Sequence, residues 1–201
     1  MSADATRARG RPRSTEADRA IFAATRRLLD ETGYHGLTVE GVAAEAGVAK
    51  TTIYRRYANK ALLVLDSMTQ SAHDAPVELP DTGTFRGDLI AIAHLVREEI
   101  VPSSPSSVGS ALLGEASHDA TVAEGLRAFA DFRFEQGKPV YERAMARGEL
   151  RPDADWRVVA ELLVGWIFHA SIVSRRTPDD ATIERTIDQL LQGLSTTEPP
   201  R

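Results

Sequence analysis

The sequence contains no cysteine, few aromatic residues and no long apolar run. Without cysteine, the chain cannot form disulfides, thiolate zinc sites or cysteine nucleophiles. Because no uninterrupted run of about 18 apolar residues occurs, the sequence predicts no membrane span. The N-terminal arginines have no apolar stretch behind them, so they do not match a secretory signal. These absences favour a cytoplasmic protein.

The composition is that of an ordinary globular protein, but its charge is unevenly distributed. The 201 residues are 42% apolar and 26% charged, with a formal net charge of −5, which excludes collagen-like and wholly disordered chains. Residues 1–60 hold 11 basic and seven acidic side chains, a net charge of +4, whereas residues 61–201 hold 13 and 22, a net charge of −9. An acidic total argues against a nucleic-acid partner, but this split predicts two parts with different partners.

Helical periodicity dominates, and neither a strand pattern nor an internal repeat is found, so we predict an all-α fold of about nine helices. Ser14 or Thr15 is the expected N-cap of the first helix, Thr38 of the second and Asn59 of the fourth. The expected helices span residues 16–31, 39–46, 50–57, 60–73, 85–101, 107–117, 120–147, 156–175 and 179–194.

Residues 38–57 have the layout of a helix-turn-helix, in which two short helices flank a tight turn at Gly47. The second helix offers cations, hydroxyls and phenols but no acid: Lys50, Thr51, Thr52, Tyr54, Arg55, Arg56 and Tyr57. Hydroxyls near a helix start and arginines further along can contact base edges in the major groove, and flanking cations and phenols suit phosphates. The alternative is a two-helix packing unit with a solvated basic face.

Residues 16–63 resemble the DNA-binding domain of the TetR family of transcriptional regulators. The matching residues are Gly33-Tyr34, Thr38-Val39, Ala46-Gly47-Val48, Thr52-Ile53-Tyr54, Tyr57, Asn59, Lys60, Leu62 and Leu63. The resemblance implies phosphate contacts from Thr38, Tyr54, Tyr57 and Lys60, contacts with base edges from Lys50, Thr51, Thr52 and Arg55, and either role for Arg56.

The N-terminal segment Arg9-Gly10-Arg11-Pro12 resembles the core of an AT-hook, in which arginines lie along a narrow minor groove. With Arg13, these arginines are predicted DNA contacts on a disordered basic arm, residues 1–14. A passive solubilising tail is the alternative.

The resemblance also implies a homodimer that binds a palindromic operator. The segments 156–175 and 179–194 carry more apolar surface than one core stripe needs, which favours an interface over two plain core helices. Two-fold symmetry would set the recognition helices about 34 Å apart. We therefore expect a helix-turn-helix DNA-binding domain over 15–60, a ligand-binding and dimerisation domain over 61–195 and a frayed tail over 196–201.

The acidic part is expected to bind a small, largely apolar ligand that releases the operator, while a corepressor response remains the alternative. The candidate lining residues, each of which could equally be plain core, are His94, Leu112, Phe129, Phe132, Tyr141, Trp166 and His169.

Two other classes of protein compete with a transcriptional regulator as interpretations of the sequence. A small helical enzyme is disfavoured, because the sequence has no Gly-x-Ser-x-Gly elbow, no phosphate-binding Gly-x-x-x-x-Gly-Lys and no His-x-x-x-His pair. We therefore expect no catalysis, no cofactor and no metal. A purely architectural DNA-binding protein would not need the large helical remainder.

Overall fold

The computed structural model describes residues 12–100 and 108–193, and within these ranges the chain is helical without any strand. The helices are α1 (Pro12–Gly36), α2 (Val39–Glu45), α3 (Lys50–Tyr54), α4 (Lys60–Asp74), α5 (Phe85–Ile100), α6 (Val108–Ala116), α7 (Ala120–Ala146), α8 (Trp156–Phe168) and α9 (Asp180–Gly193). Within α1, Gly33 has a φ of 67° and interrupts the helical backbone with a kink. The predicted all-α fold is confirmed.

The chain forms two compact units, residues 1–71 and 72–201, which divide within α4. The predicted boundary after residue 60 separates a DNA-binding domain from a ligand-binding and dimerisation domain. It stays a prediction, because the two compact units are defined by packing and not by function. The basic arm expected over 1–14 and the tail expected over 196–201 also stay predictions. Residues 1–11 and 194–201 lie outside the described residues, and α1 begins at Pro12.

The first unit is held together by buried side chains from both of its short helices. α2 buries Val39, Val42 and Ala43, and α3 buries Ile53. α2 packs against α1 and against α3, and Ile21 of α1 is buried as well. Leu63 and Val64 of α4 are also fully buried. Because α2 and α3 have only seven and five residues, too few for independent stability, this burial is what holds them in place.

Two of the three predicted helix caps are confirmed. The Thr38 hydroxyl accepts a hydrogen bond from the Gly41 amide at 3.0 Å, and the Asn59 side chain accepts one from the Leu62 amide at 3.0 Å. The cap expected at Ser14 or Thr15 is wrong, since both residues lie inside α1. α1 begins earlier because proline suits the first helical position, where no amide hydrogen is needed.

Glycine sets the turn between α2 and α3. Gly47 has a φ of +66°, a left-handed conformation that side chains with a Cβ avoid. Its amide donates to the Ala44 carbonyl, and the next amide, of Val48, donates to Ala43. This pair of bonds ends α2 as a Schellman motif and aims the chain into α3.

The second unit packs α5, α7, α8 and α9 around a common core, with α6 against α7. Fully or nearly fully buried side chains come from all four helices: Leu89, Val140, Tyr141, Leu163, Ile167, Ile183 and Ile187. Pro139 lies inside α7, which is assigned as one helix from Ala120 to Ala146.

The helix expected over 156–175 is not α-helical throughout. α8 ends at Phe168 and continues as a π-helical turn, His169–Val173, in which the Ser174 amide donates to the His169 carbonyl. Trp156–Val173 has a mean hydropathy of 1.4 and is long and apolar enough to cross a membrane by length and composition alone. Arg157 and Glu161 interrupt the segment, so it is not an uninterrupted apolar run. The core helix of a soluble protein can meet the same criterion of length and composition.

A buried carboxylate fastens the start of α5 to the end of α7. Asp88 is fully buried, and one of its oxygens accepts hydrogen bonds from the Thr82 amide at 2.7 Å and hydroxyl at 2.8 Å. The other oxygen accepts one from Arg147 at 3.1 Å. Burial alone would raise the pKa of Asp88, but the hydrogen bonds from Thr82 and Arg147 outweigh it and hold the pKa below its ordinary value.

We predict that Asp88→Asn lowers the free energy of unfolding by about 1–3 kcal/mol at neutral pH, because Arg147 loses a charged acceptor. Since folding lowers this pKa, the contribution is complete above the unfolded-state value of about 3.9 and disappears as the pH falls through the folded-state value. In urea unfolding, the difference in stability between the wild type and the variant should therefore begin to shrink as the pH falls below about 4, and it should vanish only below the folded-state pKa of Asp88. Asp153→Asn, at an exposed position, should follow the wild type at every pH.

Candidate nucleic-acid interface

The short helix α3 and its C-cap, Arg55, present four polar side chains that the sequence predicts to contact DNA. Lys50, Thr51 and Arg55 are exposed, and Thr52 is half-buried. None of these side chains has a hydrogen-bond or ion-pair partner among the residues that the structure describes. A short helix end with a lysine, hydroxyls and an arginine can donate to base edges or phosphates. These four predicted contacts thus lie together.

Thr38 lies at the start of α2 with its hydroxyl proton available. The hydroxyl oxygen accepts the cap bond from Gly41, which uses a lone pair and leaves the O–H free to donate. The residue is exposed. A phosphate oxygen could therefore accept from Thr38 without loss of the helix cap.

The two tyrosines of the recognition segment differ in how firmly they are held. Tyr54 is 49% exposed, and its hydroxyl donates to a Glu40 oxygen at 3.1 Å. Tyr57 is half-buried, and its hydroxyl donates to Asp66 of α4 at 2.6 Å. The hydrogen bond to Glu40 raises the pKa of Tyr54, whereas burial and then Asp66 raise the pKa of Tyr57. Both phenols therefore remain proton donors.

Lys60 closes the end of α1. Its ammonium donates to the carbonyls of Tyr34 at 3.0 Å and Leu37 at 3.3 Å, and it lies 4.5 Å from the centre of the Tyr34 ring. Two of the three N–H donors of the ammonium are used inside the protein. The geometry favours a structural role over the phosphate contact expected from the sequence.

Arg56 forms an ion pair with Asp18 of α1, while Arg27 pairs with Glu45 at the end of α2. The carboxylates of Asp18, Glu40 and Asp66 thus come from three helices and contact three of the predicted DNA-binding side chains. Sequence reasoning missed these acids, because residues distant in sequence are brought together only by the fold.

Most of the basic arm predicted over residues 1–14 lies outside the described residues. Arg9 and Arg11 lie outside the described residues, and of Arg13 only the backbone, in α1, is described.

Among the described residues, no group of three or more histidine, aspartate or glutamate side chains could hold a metal ion.

Family profiles match both units. The one described as bacterial regulatory proteins of the tetR family matches residues 21–66, and the one described as a tetracyclin repressor-like C-terminal domain matches residues 79–190. The chain belongs to the TetR family.

Individual relatives agree with this assignment. The uncharacterized HTH-type transcriptional regulator YdeS of Bacillus subtilis is 32% identical over 191 residues, which cover 94% of this chain and 95% of the relative. The DNA-binding transcriptional repressor TetR of Mycobacteroides abscessus is 33% identical over 190 residues, covering 93% and 96%. The solved TetR family transcription regulator SCO0332 has a TM-score of 0.75 at 30% identity, covering 89% of this chain and 98% of that one.

The protein is therefore a helix-turn-helix DNA-binding regulator of transcription. TetR-family members are typically repressors with a ligand-binding C-terminal domain, and they are regulators rather than enzymes. The resemblance read from residues 16–63 is confirmed, and it extends to the second unit.

The predicted ligand-binding residues occupy different environments. Tyr141 is buried, with its ring 5.7 Å from that of Phe85, and Leu112 is fully buried on α6. Trp166 packs at the edge of the same core as Tyr141. These three positions are compatible with plain core packing as well as with a cavity wall.

The remaining predicted ligand residues are more accessible. Phe129 and Phe132 on α7 are half-buried, and the Phe132 ring stacks on His73 at 4.1 Å. The His94 Nδ1 atom lies 2.9 Å from the guanidinium Nη2 of Arg97, and His169 is exposed at the π-helical turn. An open depression of about 580 Å³ on the outer side of α9 is lined by none of the seven. The ligand set stays a prediction.

We predict that Lys60→Met lowers the free energy of unfolding by about 1–3 kcal/mol, because two carbonyls at the end of α1 lose a charged donor. Lys50→Met removes the same charge from an exposed side chain and should leave stability unchanged while it weakens DNA binding. Urea unfolding and DNA titration of both variants distinguish the roles. Equal stability of the two variants would contradict the structural role of Lys60.

Proposed function

We propose that this regulator represses transcription in the cytoplasm as a homodimer that binds a palindromic operator and is released by a small, largely apolar ligand. The observation that carries the DNA-binding part is the exposed group Lys50, Thr51 and Arg55 at α3, whose side chains have no described partner. Donors that are already free need not break internal bonds before they contact DNA. No catalytic role is proposed for any residue.

In this proposal α3 enters the major groove. Lys50, Thr51, Thr52 and Arg55 face the base edges, where arginine can donate two hydrogen bonds to guanine. Thr38 at the start of α2 and Tyr54 at the end of α3 contact phosphates and fix the orientation of α3. Lys60, Tyr57 and Arg56 stabilise the unit through their carbonyl and carboxylate partners within the protein.

The proposed dimer interface is formed by the last two helices, α8 and α9, and the exposed apolar side chains that support it lie on the outer side of α8. Val158 and Leu162, one helical turn apart, are 49% and 54% exposed, and Val173 beyond the π-helical turn is 65% exposed. Apart from the neighbouring residues and backbone of α8 itself, no atom of the described residues lies within 4 Å of where a Gly165 Cβ would be, so a partner helix could approach closely. Apolar side chains exposed along one face of a helix are typical of a subunit interface.

The ligand is proposed to bind within the second unit and to favour a state with the wrong spacing between recognition helices. Strong release requires the ligand to prefer that state by a few kcal/mol. The half-buried aromatic side chains Phe129, Phe132 and Trp166 are the apolar surfaces proposed to contact it.

Selection of bound sequences from a random DNA pool tests the DNA-binding proposal. We expect a palindrome, and if the dimer makes about eight to ten cationic phosphate contacts, log K should fall against log salt with a slope of roughly −7 to −9. Arg55→Ala should reduce the preference for one base at one position of each half-site by about 1–3 kcal/mol, whereas Tyr54→Phe should weaken the affinity for DNA of every sequence alike. A salt slope near zero, or identical sequence profiles, would contradict the proposal. Small apolar compounds added to the selected complex test release.

We predict that Leu162→Glu dissociates the dimer, because an unpaired carboxylate would be buried in an apolar interface. The free energy of dimerisation should become less favourable by about 2 kcal/mol, which is a roughly 30-fold loss of dimer affinity. Sedimentation equilibrium measures this change. Leu113→Glu is the matched control, since Leu113 on α6 is 41% exposed but lies outside the proposed interface. Equal effects of the two variants would place the interface elsewhere.

A further inference from the structure

An acid holds the hydroxyl of the most exposed tyrosine beside the recognition helix. Tyr54 at the end of α3 donates to Glu40 in the first turn of α2, at 3.1 Å, and both residues are exposed. Glu40 is two positions after Thr38, the proposed phosphate contact at the start of the same helix. The bond therefore lies where the proposed function places the DNA backbone.

A phenol has one proton, and this limits what Tyr54 can do. Phosphate oxygens and an ionised carboxylate are both acceptors only, so neither can donate to the phenol oxygen. The Tyr54 proton can be directed to Glu40 or to a phosphate. Tyr54 also cannot lose this proton near neutral pH, since the hydrogen bond to Glu40 raises its pKa.

The bond between Tyr54 and Glu40 has the features of an exchangeable contact. The otherwise similar bond between Tyr57 and Asp66 is shorter, at 2.6 Å, and its tyrosine is half-buried. By contrast, Tyr54 and Glu40 are both exposed, and Tyr54 is 49% exposed, so exchange of its proton to a new acceptor does not require a buried side chain to move. Exchange would also leave the Glu40 carboxylate close to a phosphate, and these like charges repel.

We propose that Glu40 is an internal competitor for the DNA phosphate at Tyr54, and that it lowers affinity for DNA of every sequence alike. The inference rests on the proposed placement of Tyr54 at the DNA backbone. Because phosphate contacts supply essentially all sequence-independent binding, the competitor reduces occupancy of non-operator DNA. Base preference stays with Lys50, Thr51 and Arg55, so the ratio of operator to non-operator affinity is unchanged.

The test compares Glu40→Ala with Glu45→Ala by titration of a mixed-sequence duplex and of the duplex recovered by selection. Glu45 is on the same helix as Glu40, and it pairs with Arg27 instead of a tyrosine. Because both variants replace a glutamate by alanine, the control makes the same change in net charge. We expect E40A to tighten binding to both duplexes by roughly twofold to tenfold for each protomer, the worth of one hydrogen bond. The control should change binding less than about twofold.

Tyr54→Phe identifies the route of the effect. In the Y54F background, E40A should tighten binding no more than E45A does, because no hydroxyl remains to be released. Glu40→Gln, which keeps an acceptor but removes the charge, should give an intermediate gain. Urea unfolding of each variant separates a change in stability from a change in DNA contact.

Three results would overturn the inference: weaker binding by E40A, equal binding by E40A and E45A, or an undiminished E40A gain in Y54F. Weaker binding by E40A would mean that Glu40 positions Tyr54 for DNA binding. Equal binding by E40A and E45A would mean that Glu40 acts only through its contribution to the net charge. If the wild type bound neither duplex, the proposed DNA contact would fail and the inference with it. If the wild type binds and E40A does not tighten, only the inference fails.

Discussion

The DNA-binding unit depends on the burial of Ile53. α3 has only five residues, and a helix of this length is unstable in water by itself. Ile53 is fully buried, as is Val42 of α2, the helix against which α3 packs, and the left-handed Gly47 lies in the turn between the two helices. Every exposed side chain of α3 takes its direction from this one anchored residue. The proposed DNA contacts are therefore as rigid as the core beneath them.

The charged groups of this unit have separate tasks. Lys60 and Arg56 satisfy carbonyls or a carboxylate within the protein, and Tyr57 is fastened to α4 through Asp66. The groups without described partners, such as Lys50 and Arg55, are those available to another molecule. A basic surface read from sequence thus divides into side chains that hold the fold and side chains that can bind DNA.

The second unit joins a conventional core to an unusually apolar outer helix face. Leu163 and Ile167 fill the core, whereas Val158 and Leu162 of the same helix are exposed. Apolar residues on both sides explain why Trp156–Val173 has the hydropathy of a membrane span. A second protein copy on the outer face would cover the exposed apolar side chains.

The sequence by itself determined the helical class, the turn at Gly47, the caps at Thr38 and Asn59 and the family resemblance. These features rest on local chemistry, namely periodicity, a left-handed glycine and side chains that bond amides two or three residues away. Only the tertiary structure decided that Lys60 closes α1, that Asp88 is buried under Arg147, and that Glu40 holds Tyr54. Each of these contacts joins residues from 14 to 59 positions apart, and no periodic pattern encodes such a distance. Long-range polar contacts follow from how the helices pack, whereas helix ends follow from neighbouring residues.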